Sequence, residues 1–367
     1  MLNALRGPDR VRKRPEVIFR SRSAEGACAA INEILKNSVE EARQGFGKKI
    51  MIRRYKDSSY EIEDYGRGVP VEYNNDEKEY DWQINFCKMY AMPRDFFKEN
   101  DCVYSLGLYG LGLYATQCVS EYMDAEIIRD GYKYNLHFEK GYNIGGLKKE
   151  RTENHQTGTK IRFKLDDEVF TDINVSCEML KTLVRNYALT NKGVTFKFIY
   201  EDDCTEEMVF LYNNLSDRIA EHFKSKEVKT YNEYFKFEGE ESGRTNSGSI
   251  DISIAFAEGE KLRESFCNGR FLQHEGIAVW SLEELIKDEI SKRFSNITIE
   301  NKVIEKVLNN ISIIVNVEML RYKEKWQSGF RAAITNPLVG ESIKNRCQSM
   351  IEEMICDNTE KIKEAGK

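Results

Sequence analysis

The sequence predicts a mixed α+β fold in two domains, and three observations point to it. Apolar residues recur every three or four positions at Cys28, Ile31, Leu35, Val39 and Ala42, the spacing of a helix with one buried stripe. Segments 49–55 and 59–64 then alternate about Lys56-Asp57-Ser58 as a β-hairpin. At 367 residues the chain is longer than one core usually organises, so two domains are expected.

Taken in order, residues 21–45 form the first helix, ended by Gly45 and Gly47. Residues 71–105 are polar and irregular, with a helical patch at 82–90 and a break at Pro93. Residues 122–139 and 159–165 read as strands, 177–191 as an amphipathic helix and 194–200 as a strand. The acidic stretch around Glu201-Asp202-Asp203 is taken as the boundary between domains 1–203 and 204–367. Beyond it come a short helix at 215–223, a polar stretch at 238–248, and strands at 249–256 and 264–267. A helix at 282–294, an apolar strand at 310–317 and one long final helix at 338–362 complete the reading.

Composition narrows the function. Hydrophobic residues make up 41% of the chain, enough for a core, and the net charge of −6 argues against a wholly basic nucleic-acid binder. A local basic run (Arg6, Arg10, Arg12, Lys13, Arg14, Arg20, Arg22) opens the chain, readable as a solvated face. None of the nine cysteines lies in a C-x-x-C pair, which argues against a zinc site or disulfide framework. With no signal-peptide core and no apolar window of membrane length, a soluble cytoplasmic protein is expected.

Four short motifs carry chemistry. Glu33 and Asn37 lie one turn apart on a helix face distinct from the apolar stripe, and Glu40 shares that face. Such a carboxylate can polarise a water, and such an amide oxygen can take a place around Mg²⁺. Asp64-Tyr65-Gly66-Arg67-Gly68 ends a strand at a turn where a carboxylate can accept from a ligand and bare backbone allows close approach. Gly107-Leu108-Tyr109-Gly110-Leu111-Gly112 precedes a helix and could turn N–H groups onto phosphate oxygens. It is neither a dinucleotide fingerprint nor a P-loop, and a turn that merely packs is the plain alternative. Thr157-Gly158-Thr159 opens a strand that alternates.

In this order and at these separations, E-x-x-x-N, D-x-G-x-G, G-x-x-G-x-G and T-G-T resemble the GHKL ATPase family of type II topoisomerases, MutL-type repair proteins, heat-shock chaperones and histidine kinases. Within it the chain is most similar to the gyrase B / topoisomerase IV ATPase subunit, whose opening L-x-G-L-D-x-V-R-K-R-P is matched by Leu5-Arg6-Gly7-Pro8-Asp9-Arg10-Val11-Arg12-Lys13-Arg14-Pro15. The resemblance implies a GHKL (Bergerat) sandwich of mixed sheet and helices, followed by a smaller α/β transducer domain with a right-handed crossover. It implies ATP and Mg²⁺ as ligands. Glu33 would act as general base and Asn37 as Mg²⁺ ligand; Asp64 would accept from the adenine amino group. Gly66 and Gly68 would let the base lie close, Thr157 would support its edge, and Gly107, Leu108, Tyr109, Gly110, Leu111 and Gly112 would wrap the phosphates. Residues 71–105 would be the lid, and Glu41 with Arg67 a structural ion pair.

Departures from the family pattern matter as well. The family's Q-T-K loop, which offers a lysine to the γ-phosphate, is represented by Gly329, Phe330 and Arg331, leaving Arg331 as the candidate catalytic cation. The G-G-T-H turn has become Glu275-Gly276-Ile277-Ala278, after Ser265-Phe266-Cys267-Asn268. The partner-embracing N-terminal arm is almost absent and no D-x-D cleavage cluster follows, so the sequence in hand is not expected to cut DNA by itself. Three functions remain open. One is the ATP-operated dimerisation clamp of a type II topoisomerase acting on duplex DNA. The others are a stand-alone ATPase switch on a protein partner and a binding-only pseudo-ATPase.

Overall fold

A computed structural model describes residues 5–89, 110–241, 244–257, 259, 261–294, 301–319 and 333–365. The chain divides into two compact units, one reaching to Leu211 and the other running on from Tyr212. The division thus falls eight residues beyond 203, because the acidic stretch read as a break is a turn that leads into the edge strand Thr205–Phe210 of the first unit.

The first unit begins with two short helices, α1 (Asp9–Arg12) and α2 (Pro15–Phe19), and the long α3 (Ala24–Arg43). The hairpin β1 (Lys49–Arg54) and β2 (Ser59–Asp64) follows, then β3 (Tyr73–Asn74), β4 (Glu79–Tyr80), α4 (Asp81–Cys87) and α5 (Gly112–Cys118). Strands β5 (Ser120–Arg129), β6 (Tyr132–Glu139), β7 (Tyr142–Asn143), β8 (Lys148–Arg151) and β9 (Gly158–Leu165) precede α6 (Cys177–Thr190), β10 (Thr195–Glu201) and β11 (Thr205–Phe210). One mixed sheet runs β11-β10-β1-β2-β9-β5-β6-β7, with β8 also on β6. β1 and β10 are parallel; β2 pairs antiparallel with both β1 and β9.

Alternation gives this sheet two unlike faces. Ile50, Ile52, Tyr60, Ile62, Met123, Ala125, Ile161 and Phe163 are buried and share register, while Ile31, Ile34, Leu35 and Val39 of α3 are buried as the matching apolar stripe. The other face is a lattice of charges. Lys160 and Lys133 both reach Glu126, at 3.0 and 2.5 Å, and Lys197 reaches Glu207 at 2.8 Å. The basic N-terminal run is not uniform either: Arg12 donates to the Cys118 carbonyl at 2.9 Å and pairs with Asp166 at 2.6 Å, whereas Arg14 stays exposed.

The second unit contains α7 (Ser216–His222), the long hairpin β12 (Thr230–Glu241) and β13 (Arg244–Phe256), β14 (Arg263–Cys267), β15 (Arg270–Phe271), α8 (Gly276–Arg293) and α9 (Asn301–Asn309). It ends with β16 (Ile311–Met319), α10 (Pro337–Arg346), α11 (Gln348–Asp357) and α12 (Thr359–Ala365). Its sheet runs β12-β13-β16-β14-β15; β14 and β16 are parallel, so α8 and α9 form the crossover between them. Ile250, Ile252 and Ile254 of β13 and Ile311, Ile313, Val315 and Val317 of β16 share one core with Leu282, Ile286 and Ile290 of α8.

Three expectations for this unit are corrected. Residues 238–241 and 244–248 lie within β12 and β13, not in a polar connection. Their glycines mark close approach: a Cβ on Gly248 would stand 2.1 Å from the Glu318 carbonyl oxygen, and one on Gly239 would stand 2.7 Å from Leu338. The single final helix is three helices, divided at Cys347 and Asn358; the Asn358 amide donates back to the Met354 carbonyl at 2.8 Å. The central helix starts at Gly276, six residues before Leu282, and α9 follows it. Among the described residues no helix is long and apolar enough to cross a membrane.

Candidate functional site

The site is built on α3 and on the end of β2. Asp64 is the last residue of β2 and, by alternation, points to the helix-covered face with Ile62. Its carboxylate is 7% exposed and accepts three hydrogen bonds. The Ser38 hydroxyl of α3 donates to Oδ2 at 2.8 Å, and the amides of Gly66 and Thr159 donate to Oδ1 at 3.0 and 3.3 Å. Burial pushes the Asp64 carboxyl above its ordinary value of 3.8, against the pull of those same three donors. A carboxylate has room for about four donors, so Oδ2 retains capacity for one more.

Backbone crowding explains the glycines here. Gly68 has φ +79°, and a Cβ on it would lie 2.9 Å from the Ile128 carbonyl oxygen and 3.1 Å from Ile127. A Cβ on Gly158 would lie 2.1 Å from the Asp64 carbonyl oxygen, so the T-G-T turn can press on β2 only through a bare residue. A Cβ on Gly66 would meet the carboxylate of Glu41 at 2.9 Å. The Thr157 hydroxyl donates to the Gly66 carbonyl at 2.7 Å, tying the two turns together. Glu41 and Arg67 do form the expected ion pair, at 2.7 and 3.1 Å, with the guanidinium also stacked 4.0 Å from the Phe46 ring centroid.

Glu33 and Asn37 lie further back on α3. Asn37 is exposed, and the Glu33 side chain is 27% exposed. The Glu33 carboxylate pairs with the ammonium of Lys36, one turn on, whose side chain is only 16% exposed. Gly112, the first residue of α5, is set against the same carboxylate: a Cβ there would lie 2.6 Å from Oε2. Gly110 has φ +55°, a left-handed conformation that suits glycine, and the Leu111 carbonyl accepts from the Ala115 amide at 2.8 Å. Thr116 donates to the Ala30 carbonyl of α3 at 3.1 Å, and Gln117 to the Phe86 carbonyl of α4 at 3.0 Å, which fixes where the glycine segment ends. Gly107, Leu108, Tyr109 and Arg331 lie outside the described residues, as does most of the segment read as a lid.

The structure therefore brings Asp64, Gly66, Gly68 and Thr157 together at one end of α3, and Glu33, Gly112 and the start of α5 further along it. Sequence reasoning missed Ser38 and Lys36, and it named Gly158 and Thr159 only as part of the T-G-T turn, with no role of their own. Ser38 leaves a trace in the sequence as a small polar residue beside the apolar Val39, yet turned inward. A cavity of about 390 Å³ on the opposite sheet face is a separate feature. Asp124, Glu126, His137 and Lys160 of its lining are already paired within the sheet.

No family model matches the chain. Relatives do: it is 34% identical over 201 residues to the topoisomerase 4 B-type chain of Francisella tularensis, 54% of this chain and 31% of that protein. It is 26% identical over 268 residues to the type 2 topoisomerase B-type chain of Aquifex aeolicus, 73% of this chain and 33% of that one. The chain thus spans about a third of the length of these relatives. Among solved structures, the topoisomerase IV ATP-binding domain of Francisella tularensis, in complex with a small-molecule inhibitor, superposes with a TM-score of 0.70 at 23% identity, covering 99% of this chain and 95% of that one. The 43K ATPase domain of Thermus thermophilus gyrase B, in complex with an aminocoumarin, gives 0.69 at 19%, covering 98% and 92%. By sequence the chain is similar to gyrase B and topoisomerase IV B subunits, and its fold is that of their ATPase domains.

Proposed function

We propose that this chain binds and hydrolyses ATP with Mg²⁺, and that nucleotide binding closes two copies into a dimer, as the ATPase module of a gyrase B-like type II topoisomerase. One observation carries the reading: a buried carboxylate on Asp64, held by three donors, keeps one acceptor position between backbone turns stripped of side chains. An adenine amino group is a donor of the right kind for that position, and Gly66 and Gly68 let a flat base lie against the turn. The phosphates would then run along α3 toward Gly110–Gly112 and the glycines before them.

At that end Glu33 would hold the attacking water and take its proton. Mg²⁺ would be held by the Asn37 carboxamide oxygen. An ion of this kind takes most of its ligands from phosphate and water. When bound, it would neutralise charge on the phosphates. The second unit would act as the transducer, with Arg331 standing in the sequence where the family has its catalytic lysine. Duplex DNA would be the partner of the assembled machine.

A second reading is a stand-alone ATPase switch acting on a protein partner, with slow or absent hydrolysis. It is favoured by Gly329 and Arg331 standing where the family has glutamine and lysine. The decisive measurement is steady-state ATP turnover with Mg²⁺, with and without duplex DNA, beside Glu33→Ala. Turnover lost in the variant by about 10²-fold or more supports the assigned base, and stimulation by DNA supports the topoisomerase clamp. Nucleotide binding without turnover in either protein would leave the switch reading. Sedimentation with a non-hydrolysable ATP analogue tests the clamp directly: an unchanged mass rejects it.

A further inference from the structure

Glu33 poses an electrostatic problem for the site just described. Its carboxylate lies against the backbone of Gly112, where the glycine segment enters α5. A triphosphate held by that segment would therefore bring several negative charges beside a fixed one. Like charges at a few ångströms repel strongly wherever water is partly excluded.

The residue that answers this is Lys36. Lysine is rarely buried, yet this side chain is only 16% exposed and lies along α3 with its ammonium on Glu33. We propose that Lys36 is a phosphate-end binding residue: its ammonium cancels the charge of Glu33 and then faces the incoming triphosphate while keeping the carboxylate. This inference rests on the nucleotide reading above. The ammonium is a compact cation with three donors, so one can stay on Glu33 as another meets a phosphate oxygen. Glu33 and Lys36 together carry no net charge, so the site can place a base at the phosphate end without repelling the substrate.

The prediction depends on ligand charge, which separates it from a structural role. Affinities are measured by calorimetry, in Mg²⁺ buffer, for a non-hydrolysable ATP analogue, ADP and adenosine. The proteins compared are the wild type, Lys36→Met and the double variant Lys36→Met/Glu33→Gln. Lys36→Met is expected to weaken the triphosphate analogue by about tenfold or more, ADP by less, and adenosine not at all. Removing the Glu33 charge in the double variant is expected to recover most of the loss. An equal loss for all three ligands, no loss at all, or no recovery in the double variant would each overturn the proposal. Wild-type protein that binds none of the three would overturn the nucleotide reading and this inference with it. Binding that ignores Lys36→Met would overturn this inference alone.

Discussion

The two ends of the candidate site, at the middle and toward the C-terminus of α3, are built differently. At the Asp64 end the polar groups are held by fixed partners, with one acceptor position left on Oδ2: three donors on the carboxylate, Thr157 on the Gly66 carbonyl, and Arg67 braced by Glu41 and Gln44. At the Glu33 end the carboxylate is part-exposed and pairs with Lys36, a side chain three residues along the same helix. The first end is made by the fold alone, since strand register and backbone contact leave it little freedom. The second is set by side chains that can rearrange around a ligand. On the nucleotide reading proposed above, preorganisation where the base would lie and adaptability where the phosphates would lie are what such a switch requires. Substitutions at the Asp64 end are therefore expected to change stability and affinity together, whereas those around Glu33 change charge-dependent binding and turnover.

Gly158→Ala tests the rigid end most severely. The new Cβ would fall 2.1 Å from the Asp64 carbonyl oxygen, and backbone cannot step aside as a side chain can. A loss of about 3 kcal/mol is expected from such overpacking, read as a lowered denaturation midpoint. A loss under half of that would show that β9 and β2 can separate, and would erase the contrast between the two ends.

Asp64→Asn sharpens the comparison with a smaller and more specific effect. An amide keeps the volume but changes the pattern of donors and acceptors, so adenine-nucleotide affinity is expected to fall by about 2 kcal/mol, roughly thirtyfold. Stability should respond in the opposite sense with pH. Burial raises the Asp64 carboxyl above 3.8, so between that value and its folded value the native state binds more protons than the unfolded one. This group's contribution to stability is therefore present at low pH and lost as pH rises through that window. The variant lacks the group, so the stability difference, wild type minus Asn, is expected to decline from acid toward neutral pH. Denaturant titrations across that range check it; a difference that rises with pH would mean that the three donors outweigh burial.

How much of this was legible in the sequence depended on whether the cause was local. The stripe through Ile31, Leu35 and Val39 fixes α3, and alternation fixes β1 and β2, because each pattern repeats within a few residues. Glu33, Asn37 and Asp64 could be singled out by motif alone. Ser38 could not, and Thr159 stood out only within T-G-T with no link to Asp64, because their place beside that residue follows from a helix and a strand meeting it from distant parts of the chain. The second unit was read less well for the same reason. Gly239 and Gly248 look like turn residues until Leu338 and the Glu318 carbonyl oxygen arrive against them. The division of the last helix rests on Cys347 and Asn358, neither of which breaks an apolar pattern.

Arg67→Ala probes the rim of the rigid end, where the comparison predicts the least. The Arg67 guanidinium makes two bonds to Glu41, one to Gln44 and a stack on Phe46, and the geometry is close to ideal. Yet its side chain is 49% exposed, so water and salt screen the pair and much of its attraction is lost. A stability loss of about 0.5–1 kcal/mol is expected, shrinking further at high salt. Part of it should survive salt, because the contact with Phe46 is one of packing as well as charge. The Glu41 side chain also accepts from the Arg67 amide at 3.0 Å, a bond that the alanine retains. The turn between Asp64 and Gly68 should therefore hold its shape, and adenine-nucleotide affinity should stay within about twofold of wild type. A larger drop in affinity, measured with the same non-hydrolysable analogue, would mean that Arg67 contacts the ligand, and the rim would have to be counted as part of the site.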